Sequence, residues 1–329
     1  MSSRTQLRAT ARLRQPEPTM AAALELVEAR LAEQIQSREE LLTGISTYLI
    51  GSGGKRVRPA VTVLMFRACG GGALDDIVDI ASALELIHSA SLLHDDIIDG
   101  SPVRRGKDSA FRRFGLPNAL VTGDFIFSRA FQLCGRFDAK VINWAAEACI
   151  ALTEGEIMQG RFRHNPAVTM EDYFEIIGRK TASIFQQGAR IAAYLAGAPE
   201  PVRESVAQCG YHVGMTFQVV DDLLDIEGTA ERVGKPVGLD LRDGNPSLPL
   251  VLALGRDPEV ARAFEDGALS DAAVRATLER IRRSDVLPEV RLVANDHAAS
   301  ARRNLGVLPP SADKDQLVAV IDQLISRTN

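Results

Sequence analysis

Two clusters of aspartates interrupt long apolar runs whose residue pattern is typical of α-helices. The first, Asp95-Asp96-Ile97-Ile98-Asp99, closes the run ALELIHSASLLHDDIIDG, and the second, Asp221-Asp222-Leu223-Leu224-Asp225, closes the run GMTFQVVDDLLDIEG. Carboxylates among leucine, isoleucine and valine are costly unless a cation neutralises them. We therefore expect a fold in which two helix ends face one cavity, where metal ions are bridged by a polyanionic ligand.

The spacing within each cluster predicts which acids converge. Residues i and i+4 share a helix face, so Asp95 pairs with Asp99 and Asp221 pairs with Asp225. Asp96 and Asp222 point more to the side, and their roles are less certain. Hard carboxylate oxygens one turn apart suit Mg²⁺. Exposed acids at helix ends are the alternative, but they would oppose the helix macrodipole and lack apolar neighbours.

Nearly everything after Thr19 has the composition and period of helices, and no stretch alternates with the period of a strand. One all-α domain over 20–329 is the simplest interpretation, with residues 1–19 as a disordered arm. The arm is rich in Arg and Ser and poor in acids, so a transit peptide is the alternative. The predicted helices cover residues 20–35, 38–50, 58–69, 76–99, 117–137, 140–160, 170–197, 201–226, 246–254, 258–264, 270–283, 287–305 and 313–325.

The overall charge excludes some partners. The net charge of −5 provides no broad positive field for nucleic acid or an anionic membrane, so phosphate chemistry needs local basic clusters. Cys69, Cys134, Cys149 and Cys209 are far apart without metal-type spacing, which predicts reduced core residues in a cytoplasmic protein. No apolar run appears long enough to span a bilayer.

Local basic clusters do occur near glycines. Gly53-Gly54-Lys55-Arg56-Val57-Arg58-Pro59 joins a flexible turn to cations at a helix start, which favours a diphosphate site, although a solvated turn is the alternative. Arg104-Arg105-Gly106-Lys107 follows the first aspartates, and Gly178-Arg179-Lys180-Thr181 is a weaker signal. His88 shares a helix face with Asp95, as a ligand contact or as a core residue, and Gln218 faces the second cluster.

Taken together, these residues resemble the trans-type polyprenyl diphosphate synthases, which elongate isoprenoid chains head to tail. The resemblance is carried, in family order over most of the chain, by GGKRVRP at 53–59, LLHDDIIDGSPVRRGK at 92–107, GD at 123–124, GRKTAS at 178–183, FQVVDDLLD at 217–225 and GKPVGLDL at 234–241. It implies an all-α isoprenoid-synthase bundle with a central cavity, usually a homodimer.

The resemblance also implies roles for the matching positions. Asp95, Asp99 and Asp221 would hold Mg²⁺, with Asp225 helping directly or through water. The allylic diphosphate would be bound by Arg104, Lys180, Thr181, Gln218 and Lys235, and the second substrate, isopentenyl diphosphate, by Lys55, Arg58, His88 and Arg105. Asn245 departs from the pattern because the family usually has a lysine after this glycine, which puts allylic affinity or loop closure in doubt.

Product length is expected to depend on the helix face below the first cluster. Ala90 and Ser91 lie about one turn from Asp95 and are small, and Ile87 and Leu84 follow. Because the farnesyl-producing relatives have bulky aromatics there, we predict a product longer than farnesyl, such as an octaprenyl chain for a quinone. A floor set elsewhere, with geranylgeranyl as product, is the alternative. A class I terpene cyclase and a non-catalytic partner subunit are competing functions, although the paired intact clusters argue against both.

Overall fold

The structure is a computed structural model that describes residues 19–51, 54, 56–104, 106–228 and 237–327. Lys55, Arg105 and Lys235, together with residues 1–18 of the predicted arm, lie outside the described residues. Helices dominate the described chain, as predicted, and the remaining regular structure is one short hairpin.

The first half of the chain forms the helices around the first aspartate cluster. Their bounds are α1 Met20–Gln34, α2 Glu40–Ile50, α3 Val57–Ala68, α4 Asp75–Ile98, α5 Ala110–Phe114, α6 Leu116–Cys134 and α7 Ala139–Arg161. Between α4 and α5, strands β1 (Val103–Arg104) and β2 (Lys107–Asp108) pair antiparallel, with Arg104 opposite Lys107. This hairpin was predicted only as a loop.

The second half forms the helices around the second cluster. Their bounds are α8 Met170–Ile177, a π-helical turn at Gly178–Ala182, α9 Ser183–Leu195, α10 Glu200–Glu227, α11 Leu239–Asp243, α12 Leu248–Leu254, α13 Pro258–Asp266, α14 Asp271–Arg283, α15 Val286–Asn304, a 3₁₀ turn at Leu305–Val307 and α16 Ala312–Ser326. The predicted continuous helix 170–197 is thus interrupted by the π turn. Helix α8 begins with a reciprocal capping box between Thr169 and Asp172.

Two apolar cores share α10. One lies among α1–α4, α6, α7, α9 and the start of α10, and the other lies among α8, the end of α10 and α11–α15. Helix α4 packs most extensively on α6, and α10 packs most extensively on α9 and α15. The first aspartate cluster lies at the C-terminal end of α4, and the second lies near the C-terminal end of α10. Both clusters lie near the start of α9.

Helix α4 passes a test of length and apolar composition for a membrane span among the described residues, contrary to our expectation from the sequence. However, 83% of its most apolar stretch is buried inside the protein, as in a core helix of a bundle.

Candidate active site

The π turn at 178–182 connects the two aspartate clusters. Lys180 Nζ lies 4.0 Å from Asp95 Oδ1 of the first cluster. The next residue, Thr181, donates its hydroxyl hydrogen to Gln218 Oε1 at 2.9 Å, and Gln218 Nε2 donates to Asp222 Oδ1 of the second cluster at 2.8 Å. Consecutive side chains of one turn are therefore linked to both clusters, Lys180 directly and Thr181 through Gln218.

Small residues on both neighbouring helices allow the π turn to lie this close. A Cβ on Gly155 of α7 would be 2.6 Å from the Lys180 nitrogen, and a Cβ on Gly214 of α10 would be 2.6 Å from Ala182 Cα. Real Cβ atoms do not approach a backbone so closely, so any larger residue at either position would displace the turn. The two glycines thus determine the distance between Lys180 and the carboxylates that face it.

Two residues of α7, Glu156 and Gln159, extend the first cluster and were not predicted. Lys180 forms an ion pair with Glu156 and donates a hydrogen bond to Gln159 Oε1 at 2.9 Å. Burial alone would lower the pKa of Lys180, but Asp95 and Glu156 outweigh it and raise that pKa. The ammonium group therefore stays charged between several carboxylates.

The first cluster has more negative charge than its cations balance. Burial, followed by the nearby charges of Glu156 and Asp99, raises the pKa of Asp95 to about 7, although Lys180 and Arg104 oppose the shift. The Asp95 and Asp99 side chains are 14% and 17% exposed, so both can still be reached by a ligand. An added cation would relieve this crowding of carboxylates.

The donor set fits a magnesium ion that binds together with a diphosphate. Within the described ranges, no three His, Cys, Asp or Glu side chains are close enough to hold a metal by themselves. Mg²⁺ often takes one or two protein carboxylates and completes its shell with water and phosphate oxygens. Asp95 with Asp99, and Asp221 of the second cluster, offer ligands of this kind.

The three acids of the second cluster have different surroundings. Asp221 is partly exposed and lies 3.0 Å from the guanidinium of Arg327 near the chain end. Asp222 is buried and accepts hydrogen bonds from the Tyr173 hydroxyl at 2.7 Å and the Leu248 backbone at 3.0 Å. Burial still raises the pKa of Asp222 to about 6, because those hydrogen bonds and that of Gln218 offset only part of the desolvation. Asp222 is thus built into the fold.

Asp225 does not project freely into the site. Its two carboxylate oxygens accept hydrogen bonds from the backbone N–H groups of Leu239, at 3.3 Å, and Asp240, at 3.1 Å, at the start of α11. The i, i+4 spacing with Asp221 therefore does not produce two equivalent carboxylates. The metal-binding role of Asp225 remains a prediction, and it would have to share these oxygens with the backbone.

Arg104 and His88, both predicted to bind a substrate diphosphate, lie close together near the first aspartate cluster. Arg104 donates from Nε to Asp96 Oδ1 at 2.6 Å, so Asp96 positions the hairpin. His88 and Arg104 line a narrow cleft together with Arg56, which forms an ion pair with Glu85. The sequence analysis gave no role to Arg56, and its backbone is left-handed at the start of α3.

Arg58 lies between aromatic rings. Its guanidinium carbon is 5.1 Å from the ring centroid of Phe185 and 5.6 Å from that of Phe217. Burial lowers the pKa of Arg58, while the charges of Glu85 and Asp221 oppose that shift. Its buried Nε–H has no hydrogen-bond partner among the described residues. An anion at this position would supply that acceptor.

The predicted product-length residues are all buried on α4. Ala90, Ser91, Ile87 and Leu84 have little or no exposed surface. The Ser91 hydroxyl donates back to the His88 carbonyl at 2.9 Å, and Leu84 packs directly on Gly188 of α9. Their effect on product length remains a prediction.

A further contact joins the first cluster to the loop after α11. Arg163, just after α7, forms an ion pair with Asp99 and donates from Nε to the Asn245 side-chain oxygen at 3.2 Å. No feature of the local sequence had identified Arg163. Asn245 is the position where the family pattern would have placed a lysine.

Comparisons with known proteins agree with this geometry. A family model described as polyprenyl synthetase matches residues 39–281. The chain is 36% identical to the octaprenyl diphosphate synthase of Escherichia coli (strain K12) over 309 residues, which cover 92% of this chain and 94% of that protein. It is 34% identical to heptaprenyl diphosphate synthase component 2 of Geobacillus stearothermophilus over 288 residues, 87% of this chain and 90% of that protein.

The fold is also similar to that of solved structures. A polyprenyl synthase from Caulobacter crescentus CB15, crystallised with calcium and isoprenyl diphosphate, superposes with a TM-score of 0.90 at 33% identity, covering 94% of this chain and 96% of the other. That structure contains a divalent cation together with an isoprenoid diphosphate.

Proposed function

The chain belongs to the polyprenyl synthetase family and is a prenyltransferase, and we propose that it uses Mg²⁺ to extend an allylic diphosphate to about octaprenyl length. The added units come from isopentenyl diphosphate, the enzyme acts in the cytoplasm, and its product serves as a quinone side chain. The observation that carries the proposal is the π turn, where Lys180 lies beside the first aspartate cluster and Thr181 is linked to the second through Gln218.

The residues of the site suit ionisation of an allylic diphosphate. Lys180 and Thr181 would bind the diphosphate between the clusters, where hydrogen bonds and positive charge stabilise the leaving group. Mg²⁺, held by Asp95, Asp99 and Asp221, would neutralise further charge on the same group. The apolar side chains below Asp95 exclude water from the allylic cation.

The second substrate then adds to that cation. Arg58 and His88 would orient isopentenyl diphosphate so that its double bond attacks, and the departing diphosphate accepts the proton that is lost. The motifs contain no evident side-chain base. Each cycle lengthens the chain by one unit, and the product can bind again as the allylic substrate.

A direct assay tests the proposal. Purified protein is incubated with Mg²⁺, labelled isopentenyl diphosphate and either farnesyl or geranylgeranyl diphosphate, and the products are sized. We expect a ladder that ends near eight units, whereas a chain that stops at geranylgeranyl would indicate the shorter synthase. A cyclised hydrocarbon formed from the allylic diphosphate alone would indicate a terpene cyclase instead.

A partner-dependent enzyme is a second candidate, because one relative is named as component 2 of a heptaprenyl synthase and Asn245 departs from the family pattern. Inactivity of the purified protein, with activity restored by a partner from the same source, would favour it. Activity of the protein alone would exclude it.

We further propose that the chain acts as a homodimer through the outer faces of α6 and α7. These helices expose large apolar side chains at Leu116, Leu120, Val121, Phe131, Ile142, Ile150 and Ile157. Apolar faces of this extent on adjacent helices mark protein contacts. Ile150→Glu should give a monomer in sedimentation velocity, whereas Leu292→Glu, at an exposed position of α15, should not. A dimeric Ile150→Glu protein would argue against this interface.

A further inference from the structure

Arg163 is a cation at the edge of the site that the predicted binding residues do not include. Its side chain is 23% exposed, so it is partly enclosed but can be reached from the site. Its partners, Asp99 and Asn245, are 64 and 82 residues away in the sequence. The contact therefore depends on the tertiary fold and not on local spacing.

The neighbouring residue attaches this segment to the loop after α11. The His164 backbone N–H donates to the Gly244 carbonyl at 3.0 Å, and His164 Nδ1 donates to the Phe264 carbonyl at 2.8 Å. The imidazole lies flat against Gly244, where an added Cβ would be 2.4 Å from the ring. These contacts fix the backbone on the C-terminal side of Arg163, so its guanidinium has a defined position beside Asn245.

Arg163 has acidic and neutral partners. Asp99 is its ion-pair partner, and Asp243 is near enough for its pKa to be affected. Burial and Asp99 raise the pKa of Asp243, and the charge of Arg163 opposes that shift. Asn245 contributes only a neutral oxygen. If Asp99 binds a metal, as in the proposed function, the guanidinium loses this partner while it still faces the site.

We infer that Arg163 binds the allylic diphosphate and supplies, from the end of α7, the positive charge that Asn245 lacks. This inference rests on the proposed function. A guanidinium presents paired N–H donors to phosphate oxygens. It can therefore bind the diphosphate when Asp99 binds the metal and no longer pairs with Arg163. In the absence of ligand, Arg163 instead neutralises Asp99.

Variants of both partners test the inference. Arg163→Gln removes the charge, and Arg163→Gln with Asn245→Lys returns a charge from the other side of the contact. Arg161→Gln is the matched control, because Arg161 is exposed two residues earlier and carries the same charge. Titration calorimetry with inorganic pyrophosphate, with and without Mg²⁺, measures binding independently of turnover, and steady-state kinetics give KM for each substrate.

We expect Arg163→Gln to raise the pyrophosphate Kd and the KM for farnesyl diphosphate about tenfold, the effect of one charge-assisted hydrogen bond. The KM of Arg163→Gln for isopentenyl diphosphate should be unchanged. The control, Arg161→Gln, should have the wild-type Kd and both wild-type KM values. The double variant should recover most of the pyrophosphate affinity. A merely structural contact between Arg163 and Asn245 would not be restored by placing a lysine at 245.

Normal pyrophosphate binding by Arg163→Gln would overturn the inference, and so would weak binding that Asn245→Lys fails to restore in a folded protein. If Arg163→Gln does not fold, Arg163→Lys serves instead. It keeps the charge but loses the paired donors, so its pyrophosphate Kd should rise about threefold, and an unchanged Kd would again overturn the inference. Failure of the proposed function would look different, because the wild-type protein would then form no prenyl product.

Discussion

Replacing Ala90 by phenylalanine should shorten the product. Ala90 has no exposed surface and lies on the side of α4 that faces α6. His94, which contacts the Leu120 carbonyl of α6 at 3.2 Å, identifies that side, since residues four apart differ by only about 40° around a helix. Ile87 is on the same side. A phenyl ring at 90 would therefore enter the space between α4 and α6, about one and a half turns before Asp95 along α4.

The size of the effect follows from helix geometry. Ala90 is five residues from Asp95, a rise of about 7.5 Å, and Ile87 is about 12 Å away. An extended isoprene unit is about as long as one helical turn, roughly 5 Å, so about one to two units fit above the new ring. We therefore expect a product of about two units when a one-unit allylic primer is supplied. Overpacking a filled site should also cost about 1–3 kcal/mol of unfolding free energy.

Product sizing with labelled isopentenyl diphosphate checks this prediction, and Ala81→Phe is the matched control. Ala81 is equally buried on the same helix, but nine residues away it faces the opposite side, about 180° around. It should show a comparable loss of stability in urea denaturation with normal product length. The first condensation of Ala90→Phe should remain fast, because the aspartates and cations are unchanged.

Two results would refute the reasoning. A folded and active Ala90→Phe protein that still makes the wild-type product would place the floor of the product site elsewhere. Equal shortening by Ala81→Phe would mean that loosened packing, and not a ring between α4 and α6, determines product length.

Three further predictions concern buried polar groups. Tyr173→Phe should lower the unfolding free energy by about 2 kcal/mol, since Asp222 loses a hydrogen bond from a buried hydroxyl, and urea denaturation would show this. Asp225→Asn should slow turnover and raise proteolysis at the start of α11, because an amide nitrogen would face one of the two backbone N–H groups; unchanged proteolysis would contradict this. Desolvation and His212 lower the pKa of His297 to about 4, so the unfolded chain binds a proton first as pH falls below about 6.5. Stability is therefore lost from there towards pH 4, and His297→Asn should remove about 1 kcal/mol of that acid-induced loss, after allowance for exposure.

The sequence was sufficient to predict the fold class and the two long helices. The predicted ranges 76–99 and 201–226 differ from α4 and α10 by one residue at each end. Both helices have long apolar periods that no other structure satisfies. The hairpin at 103–108 and the π turn were not predicted, because two-residue strands and a single wide turn leave no periodic signal and depend on tertiary contacts.

Only part of the candidate site could be predicted, because several of its contacts also depend on the tertiary fold. Lys180 lies beside the first cluster, and Thr181 is linked to the second through Gln218, while their binding of the diphosphate stays a prediction. Glu156 was missed, because on α7 it stands among other glutamates and only the fold shows which of them faces Lys180. The different surroundings of the acids in the second cluster come from distant residues, so their identical local spacing could not reveal them.

The π turn also limits insertions and deletions in this protein during evolution. A π turn holds about one residue more than the corresponding α-helical turn. Deleting one residue from 178–182 would let α8 and α9 join as a regular helix, but α8 would rotate by about 100° and shift by about 1.5 Å relative to α9. Tyr173 would then leave Asp222, and Lys180 would leave Glu156. The structure around this turn can accommodate substitutions, but an insertion or deletion of a single residue there would separate the groups of the site.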